Sequence, residues 1–338
     1  MQKLQSLKTV QALRAFAALS VVLAHIPLIA VGTFGVDVFF IISGFIVCYI
    51  TQEDSDHFFL KRAFRIVPLY WGATLLVCAV ALTKPALLQS TTVNVPDLLR
   101  SLFFIPYQRA NGIMEPILFL GWTLNYEVLF YLLFGACLMM ARKHAPLVCA
   151  TVLLLLYGMG QCFDLPMPFS FWTGANLLEF AAGIAAFLTL KHFGAALRTL
   201  PRALLGMAII LLVGAMIAAT LGMEHHSIYL FGALSWLLFL ATLSLENRIV
   251  VPVALIVIGD ASYSLYLLHP YILRVIQHVI DPMEQPTAKG ALGAAIMVAC
   301  SILIAWLSYR LVEKPSNIAL RRMLPRDRHP QPVVDQRR

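Results

Sequence analysis

Charge is what this sequence has least of. Asp, Glu, Lys and Arg make up 12% of its 338 residues, against 60% hydrophobic, and mean hydropathy is +0.82. Soluble domains carry about 25% charged residues, so an ordinary soluble fold is excluded. No CxxC pair occurs among the six cysteines (Cys48, Cys78, Cys137, Cys149, Cys162, Cys300). They read as small core residues, which leaves no basis for a metal centre or a disulfide framework. Also missing is a polar stretch long enough to fold as a soluble domain, so any chemistry has to take place inside a membrane bundle or at its mouths. No small-x-small cleavage site follows the first apolar run, which argues for a retained span over a signal peptide, although Lys3 and Lys8 precede it. No internal repeat at a fixed period is present.

What is present is apolar runs. Segments able to cross a core roughly 30 Å thick fall at about 10–30, 34–51, 66–83, 119–141, 145–160, 170–190, 203–222, 227–246, 252–279 and 290–311. The expected fold class is all-α: a polytopic membrane helix bundle of about ten transmembrane helices with both termini cytoplasmic. With that orientation every Lys and Arg lies on the inner side except Lys84, Arg100, Arg109, Arg274 and Lys289, the asymmetry of the positive-inside rule. Topology thus accounts for the net charge of +8, and nucleic-acid binding is not required. The transmembrane domain is expected over 1–318. Residues 319–338, rich in Arg and Pro, are expected to form a basic, disordered cytoplasmic tail able to rest on anionic lipid. The proline-rich break at 84–118 is expected as an outer-face lid or re-entrant segment.

Several ionisable groups fall inside these runs, where they are costly and usually face a polar cavity. Arg14 and His25 are eleven residues apart in the first run, which places them on one helix face roughly 16 Å apart along the axis. They define two stations on one path. A membrane histidine is a candidate base, or a structural hydrogen-bonding group. Asp37, across the turn from His25, is placed either to fix its tautomer or to cap the second helix. Glu127 lies in the outer half of its run, at a depth where it could meet His25. Ser262, Tyr266 and His269 follow i, i+4, i+7 and form one polar stripe. Arg62 and Arg65 flank the cytoplasmic start of the third run, as topology determinants or as forked donors to phosphate alongside Arg14.

Taken in order, Arg14-x10-His25, the run Gly35 to Phe45, Arg62-x2-Arg65-Ile66-x-Pro68, Trp122-Thr123-Leu124-x2-Glu127-x2-Phe130-Tyr131, Ser262-Tyr263-x2-Tyr266-Leu267-x-His269 and Glu313-Lys314-Pro315 resemble the landmarks of the acyltransferase 3 family. The resemblance covers about residues 8–316, and the Thr-Leu-Asn-Tyr-Glu form is similar to the exopolysaccharide O-acetyltransferase branch. It implies a multi-pass enzyme of the bacterial inner membrane that moves an acyl group, by default acetyl, from cytoplasmic acyl-CoA to a hydroxyl of a glycan or lipid-linked sugar. No metal is implied. Catalysis is expected at His25, Glu127 and Asp37, acyl-CoA binding at Arg14, Arg62 and Arg65, and substrate contacts from Trp122, Ser262, Tyr266 and His269. Membrane lipid and a polysaccharide synthesis machinery are the further partners. An esterase-like domain fused to some relatives is not seen, so transfer is expected to be finished by the membrane domain or by a separate partner. A proton-coupled transporter or flippase for a sugar-containing substrate is the rival reading, and a non-catalytic scaffold the third.

Overall fold

The computed structural model describes residues 7–84, 88, 93–109, 112–223, 226–280 and 288–324, without the side chains of 278–280, 288, 289 and 321. It is helical throughout, with no strand among the described residues. The helices are α1 (Lys8–Ala24), α2 (Gly35–Thr51), α3 (Phe58–Thr83), α4 (Val95–Leu102), α5 (Trp122–Ala141), α6 (Ala145–Cys162), α7 (Phe169–Trp172), α8 (Asn176–Thr199), α9 (Arg202–Gly222), α10 (Ile228–Leu243), α11 (Val253–Asp260), α12 (Ser262–Ile280), α13 (Ala288–Ser308) and α14 (Lys314–Met323). The chain is a multi-pass membrane helix bundle.

All ten expected apolar runs are helical, but the count of ten spans is not reproduced by helix length and composition. Among the described residues, six helices are long and apolar enough to cross a membrane, or seven when α11 and α12 are taken as one span bent by 74°. The difference has a physical source. α1 and α2 have 17 residues and α10 has 16, so at 1.5 Å per residue they reach about 24–26 Å, short of the roughly 30 Å core. These helices lie in the middle of the bundle, where neighbouring helices replace lipid. Most of α2 is buried, and it packs most extensively on α8.

That α2–α8 contact is backbone on backbone. A Cβ on Gly183 would lie 2.2 Å from the Ile41 carbonyl oxygen, and one on Gly44 would lie 2.3 Å from that of Phe180. Small residues at the crossing let helices gain dispersion contacts where lipid offers no hydrophobic driving force. Phe45, Phe130, Phe180 and Phe239, all fully buried, fill the space around it.

Four boundaries differ from expectation. α1 ends at Ala24, and His25 is its C-cap with φ −94° and ψ 2°; Pro27 disfavours helix at Ile26, so the chain turns there and does not continue to residue 30. α3 begins at Phe58, which puts Arg62 and Arg65 within the helix and not at its flank. The run 252–279 breaks at Ala261, turning α12 away from α11. At the far end α14 extends to Met323, past the boundary expected at 318. Residues 325–338, the rest of the expected tail, lie outside the described residues.

The N-terminus of α1 is capped from a distant part of the chain. No side chain near Leu7 caps it; Glu246 accepts instead from Thr9 N–H at 2.8 Å, the Thr9 hydroxyl at 2.6 Å and Lys8 N–H at 3.1 Å. A carboxylate there satisfies orphan donors and complements the helix dipole. On the opposite side, the described part of 84–118 folds onto the helix ends. Asn94 caps α4 through Asp97 N–H at 2.8 Å, Trp71 donates to Leu102 O at 2.9 Å, and Phe104 stacks on Tyr70.

Candidate active site

A cavity of about 300 Å³ opens among α1, α2, α3, α5 and α12, lined by Gln11, Arg14, Ser43, Arg62, Arg65, Thr123, Glu127, Tyr131, Ser262, Tyr263 and Tyr266 together with apolar side chains. Three guanidiniums face it, Arg14 from α1 and Arg62 and Arg65 from α3. Arg14 donates to the Ser262 hydroxyl at 2.8 Å. The Arg62 guanidinium lies over the Tyr131 and Phe58 rings, 5.6 and 6.0 Å from their centroids, and its Nε has no hydrogen-bond partner. Among the described residues no carboxylate lies within ion-pair distance of Arg14, Arg62 or Arg65. The carboxylates within electrostatic range of Arg14, namely Glu313, Asp260 and Glu127, are held apart from it. Glu127 accepts from Tyr131 at 2.5 Å and from Ser43 at 3.3 Å. Glu313 accepts from the Ser264 N–H at 3.1 Å and from its hydroxyl. Unpaired guanidiniums facing an enclosed space make a site for an anion with several oxygens.

The stripe expected on α12 is present and joins two levels of the bundle. Ser262 meets Arg14, Tyr263 donates to Ile66 O at 2.9 Å, Tyr266 is 3.0 Å from the Thr123 hydroxyl, and His269 meets His25. Tyr266 and Thr123 form the last polar layer of the cavity wall, and neither His25 nor His269 lines the cavity. Beyond that layer the two histidine rings stand edge to face, with centroids 4.9 Å apart and planes at 72°. Nδ1 of His25 is 2.8 Å from Val21 O and 3.3 Å from Nε2 of His269. The Phe119 ring, where the outer segment re-enters the bundle, is 6.0 Å from His25.

Two expected partners of His25 are found elsewhere. Asp37 is buried and 3.1 Å from His226 Nε2; it lies in the first turn of α2, where its side chain faces the α10 side of the bundle. Glu127 faces the cavity, on the guanidinium side of the Thr123–Tyr266 layer. The partner found at His25 is His269, placed from sequence among the substrate contacts. Trp122 packs edge-on against Phe40 and Tyr126 and does not line the cavity. Three residues absent from the sequence-derived site take part in its hydrogen bonding: Ser43, Tyr131 and Glu313. Tyr131 was recoverable, since it stands at i+4 from Glu127; the other two are brought in by tertiary packing. Glu179 is buried with both carboxylate oxygens unpartnered, and His226 completes the group around Asp37.

Comparison with known proteins identifies the family. The family model described as an acyltransferase domain matches residues 7–310. The chain is 35% identical to the exopolysaccharide production protein ExoZ of Rhizobium meliloti (strain 1021) over 298 residues, 84% of this chain and 89% of the relative. It is 25% identical to the peptidoglycan O-acetyltransferase OatA of Listeria monocytogenes, covering 91% of this chain and 55% of that protein. It is 31% identical to nodulation protein 10 of Rhizobium leguminosarum bv. viciae over 181 residues, 45% of this chain and 47% of that one. No solved structure matches. Extending over nearly the whole described bundle, the family match identifies the chain as a member of the acyltransferase 3 family, and therefore as a membrane acyltransferase.

Proposed function

We propose that this acyltransferase is an O-acyltransferase of the bacterial inner membrane that moves an acyl group, acetyl by default, from cytoplasmic acyl-CoA to a hydroxyl of an exopolysaccharide, another surface glycan or a lipid-linked sugar. The observation that carries the proposal is the set of three guanidiniums, Arg14, Arg62 and Arg65, that face one cavity without an ion-pair partner. A nucleotide bearing several phosphates is the acyl donor such a set suits, and Arg14 shares its helix with the histidine at the other level. The relative named for exopolysaccharide production supports the glycan acceptor.

In this reading the donor's phosphates sit against Arg14, Arg62 and Arg65, and Glu127 holds Tyr131 in place beside Arg62. His25 Nε2 takes the proton of the acceptor hydroxyl as its oxygen attacks the thioester carbonyl. The carbon–sulfur bond then breaks, and the CoA thiolate recovers a proton from His25. Tyr266, between the two levels, is the donor to the oxyanion. Ser262 is held by Arg14, which makes it part of the anion site and not of the oxyanion contact.

The test is the O-acetyl content of surface or secreted polysaccharide in cells lacking the protein and complemented with wild type, His25→Ala or Arg65→Ala at matched membrane levels. Loss of acetyl with both variants is expected. Full restoration by His25→Ala would overturn the catalytic assignment.

A further inference from the structure

With both rings neutral, the hydrogen bonds around His25 admit one protonation pattern. His269 is fully buried on α12, and its Nδ1 lies 3.0 Å from Leu265 O and 2.8 Å from Tyr266 O. Carbonyl oxygens only accept, so Nδ1 carries the proton and, in a neutral ring, Nε2 is a bare acceptor. That acceptor is 3.3 Å from Nδ1 of His25, which also faces Val21 O at 2.8 Å. Both neighbours of His25 Nδ1 therefore accept, and Nδ1 must supply the proton they share. Any other assignment sets N–H against N–H or a lone pair against a carbonyl. Nε2 of His25 is left unprotonated, and among the described residues nothing bonds to it.

We infer that His269 is the positioning residue for His25: together with the Val21 carbonyl it holds the proton on Nδ1 and so presents a bare Nε2 to the acceptor hydroxyl. This rests on the proposed function, in which His25 Nε2 is the base. The role is commonly filled by a carboxylate, because the bond made at one ring nitrogen sets the state of the other. Here the two expected carboxylates are engaged elsewhere, Asp37 with His226 and Glu127 with Ser43 and Tyr131. A neutral imidazole does the same orienting work without adding a negative charge to the membrane interior, where an isolated carboxylate is costly. The break before α12 contributes as well, since it aims this helix so that one face meets Arg14 at Ser262 and His25 at His269.

The experiment is solid-state NMR of the full chain, labelled with ¹⁵N-histidine and embedded in lipid vesicles, with the His25 signals assigned by their loss in His25→Ala. Wild type is expected to show His25 as the neutral, Nδ1-protonated tautomer. His269→Leu removes the acceptor and is expected to give mixed tautomers at His25, with polysaccharide O-acetylation lowered about 10- to 100-fold at matched membrane levels. His269→Gln, whose amide oxygen can accept near the position of Nε2, is expected to keep most of both. An Nε2-protonated His25 in wild type overturns the inference, and that reading needs no substitution, so it holds even if His269→Leu fails to fold. A tautomer unmoved by His269→Leu also overturns it, because Val21 alone would then set the ring. The expected tautomer shift combined with full acetylation by His25→Ala would leave the positioning intact and remove the base role of His25 instead.

Discussion

Replacing Gly183 by Ala is the smallest change expected to disturb both fold and site. The added Cβ would stand 2.2 Å from Ile41 O, 2.8 Å from Gly44 Cα and 2.9 Å from Phe45 N. All three are backbone atoms, so no side chain can rotate out of the way. Ordinary contacts begin near 3.4 Å, so α2 and α8 must part by about 1 Å along their tightest seam, losing dispersion contacts on both sides. Overpacking of this kind costs about 1–3 kcal/mol, and the better helix propensity of Ala returns about 1 kcal/mol. The rigid neighbours favour the upper end, for a net loss of about 2 kcal/mol, or, for a chain of this length, a Tm lower by about 3 °C. Ser43 lies beside Gly44 on α2 and reaches Glu127 at 3.3 Å, so acyl transfer should fall as well. The assay is thermal unfolding of purified protein in detergent, with Gly214→Ala on α9 as control. Nothing lies within 4 Å of a Cβ at Gly214, so the same substitution there should leave Tm unchanged or slightly raised. A Gly183→Ala protein that melts with or above wild type would refute the argument that this crossing is set by backbone contact.

Three further outcomes follow from particular contacts. Glu246→Ala removes the acceptor for two backbone donors and the Thr9 hydroxyl at the start of α1, and should destabilise the protein by about 2 kcal/mol, read as a lower Tm in detergent; an unchanged Tm would mean that water caps the helix equally well. Arg62→Lys keeps the charge but loses the planar group stacked over Tyr131 and Phe58, and should weaken acetyl-CoA binding about tenfold by calorimetric titration; equal affinity would exclude a geometric role for the guanidinium. Tyr266→Phe and Thr123→Val each break the 3.0 Å buried bond between the two levels, so in a double-mutant cycle on stability the pair should show a coupling of about 1 kcal/mol; strict additivity would show that the bond contributes nothing.

Much of the bundle could be read from the sequence because lipid imposes a strong rule: each apolar run of sufficient length became a helix. The polar stripe on α12 was legible for the same reason, since Ser262, Tyr266 and His269 obey helical spacing whatever they contact. Partners were not legible. Asp37 is close to His25 in sequence and Glu127 was placed at a similar depth, yet His25 pairs with a residue 244 positions away. Depth along the membrane normal is one coordinate of three, and helix rotation decides which neighbour is met. The break at Ala261 was missed although Gly259 and Asp260 stand directly before it, because the apolar residues on both sides add up to one run of spanning length. The end of α1 was not hidden: Pro27 signals it, and reading that proline would have placed His25 at a cap, where its ring is free to turn toward α12.

The span count and the site location have one common cause. α9 and α6, two of the helices long and apolar enough to span, are only 11% and 17% buried over their most apolar stretches, whereas the span containing α5, with Thr123 and Glu127, is 44% buried. Peripheral helices must match lipid over their full length, so they are long and apolar. α1, α2 and α12 pack against other helices of the bundle, α1 on α11, α2 and α12, α2 on α8 and α10, and α12 on α13, and can be short or polar. They carry Arg14, His25, Ser43, Ser262, Tyr266 and His269, and each of those side chains lowers the apparent hydropathy of its helix. A criterion tuned to lipid contact therefore undercounts in the region where a membrane enzyme keeps its polar groups. In this chain α1, which falls short of the criterion, and α12, which meets it only together with α11, connect the guanidinium cavity to the His25–His269 pair, while α3 and α5, which meet it, supply Arg62, Arg65, Thr123 and Glu127.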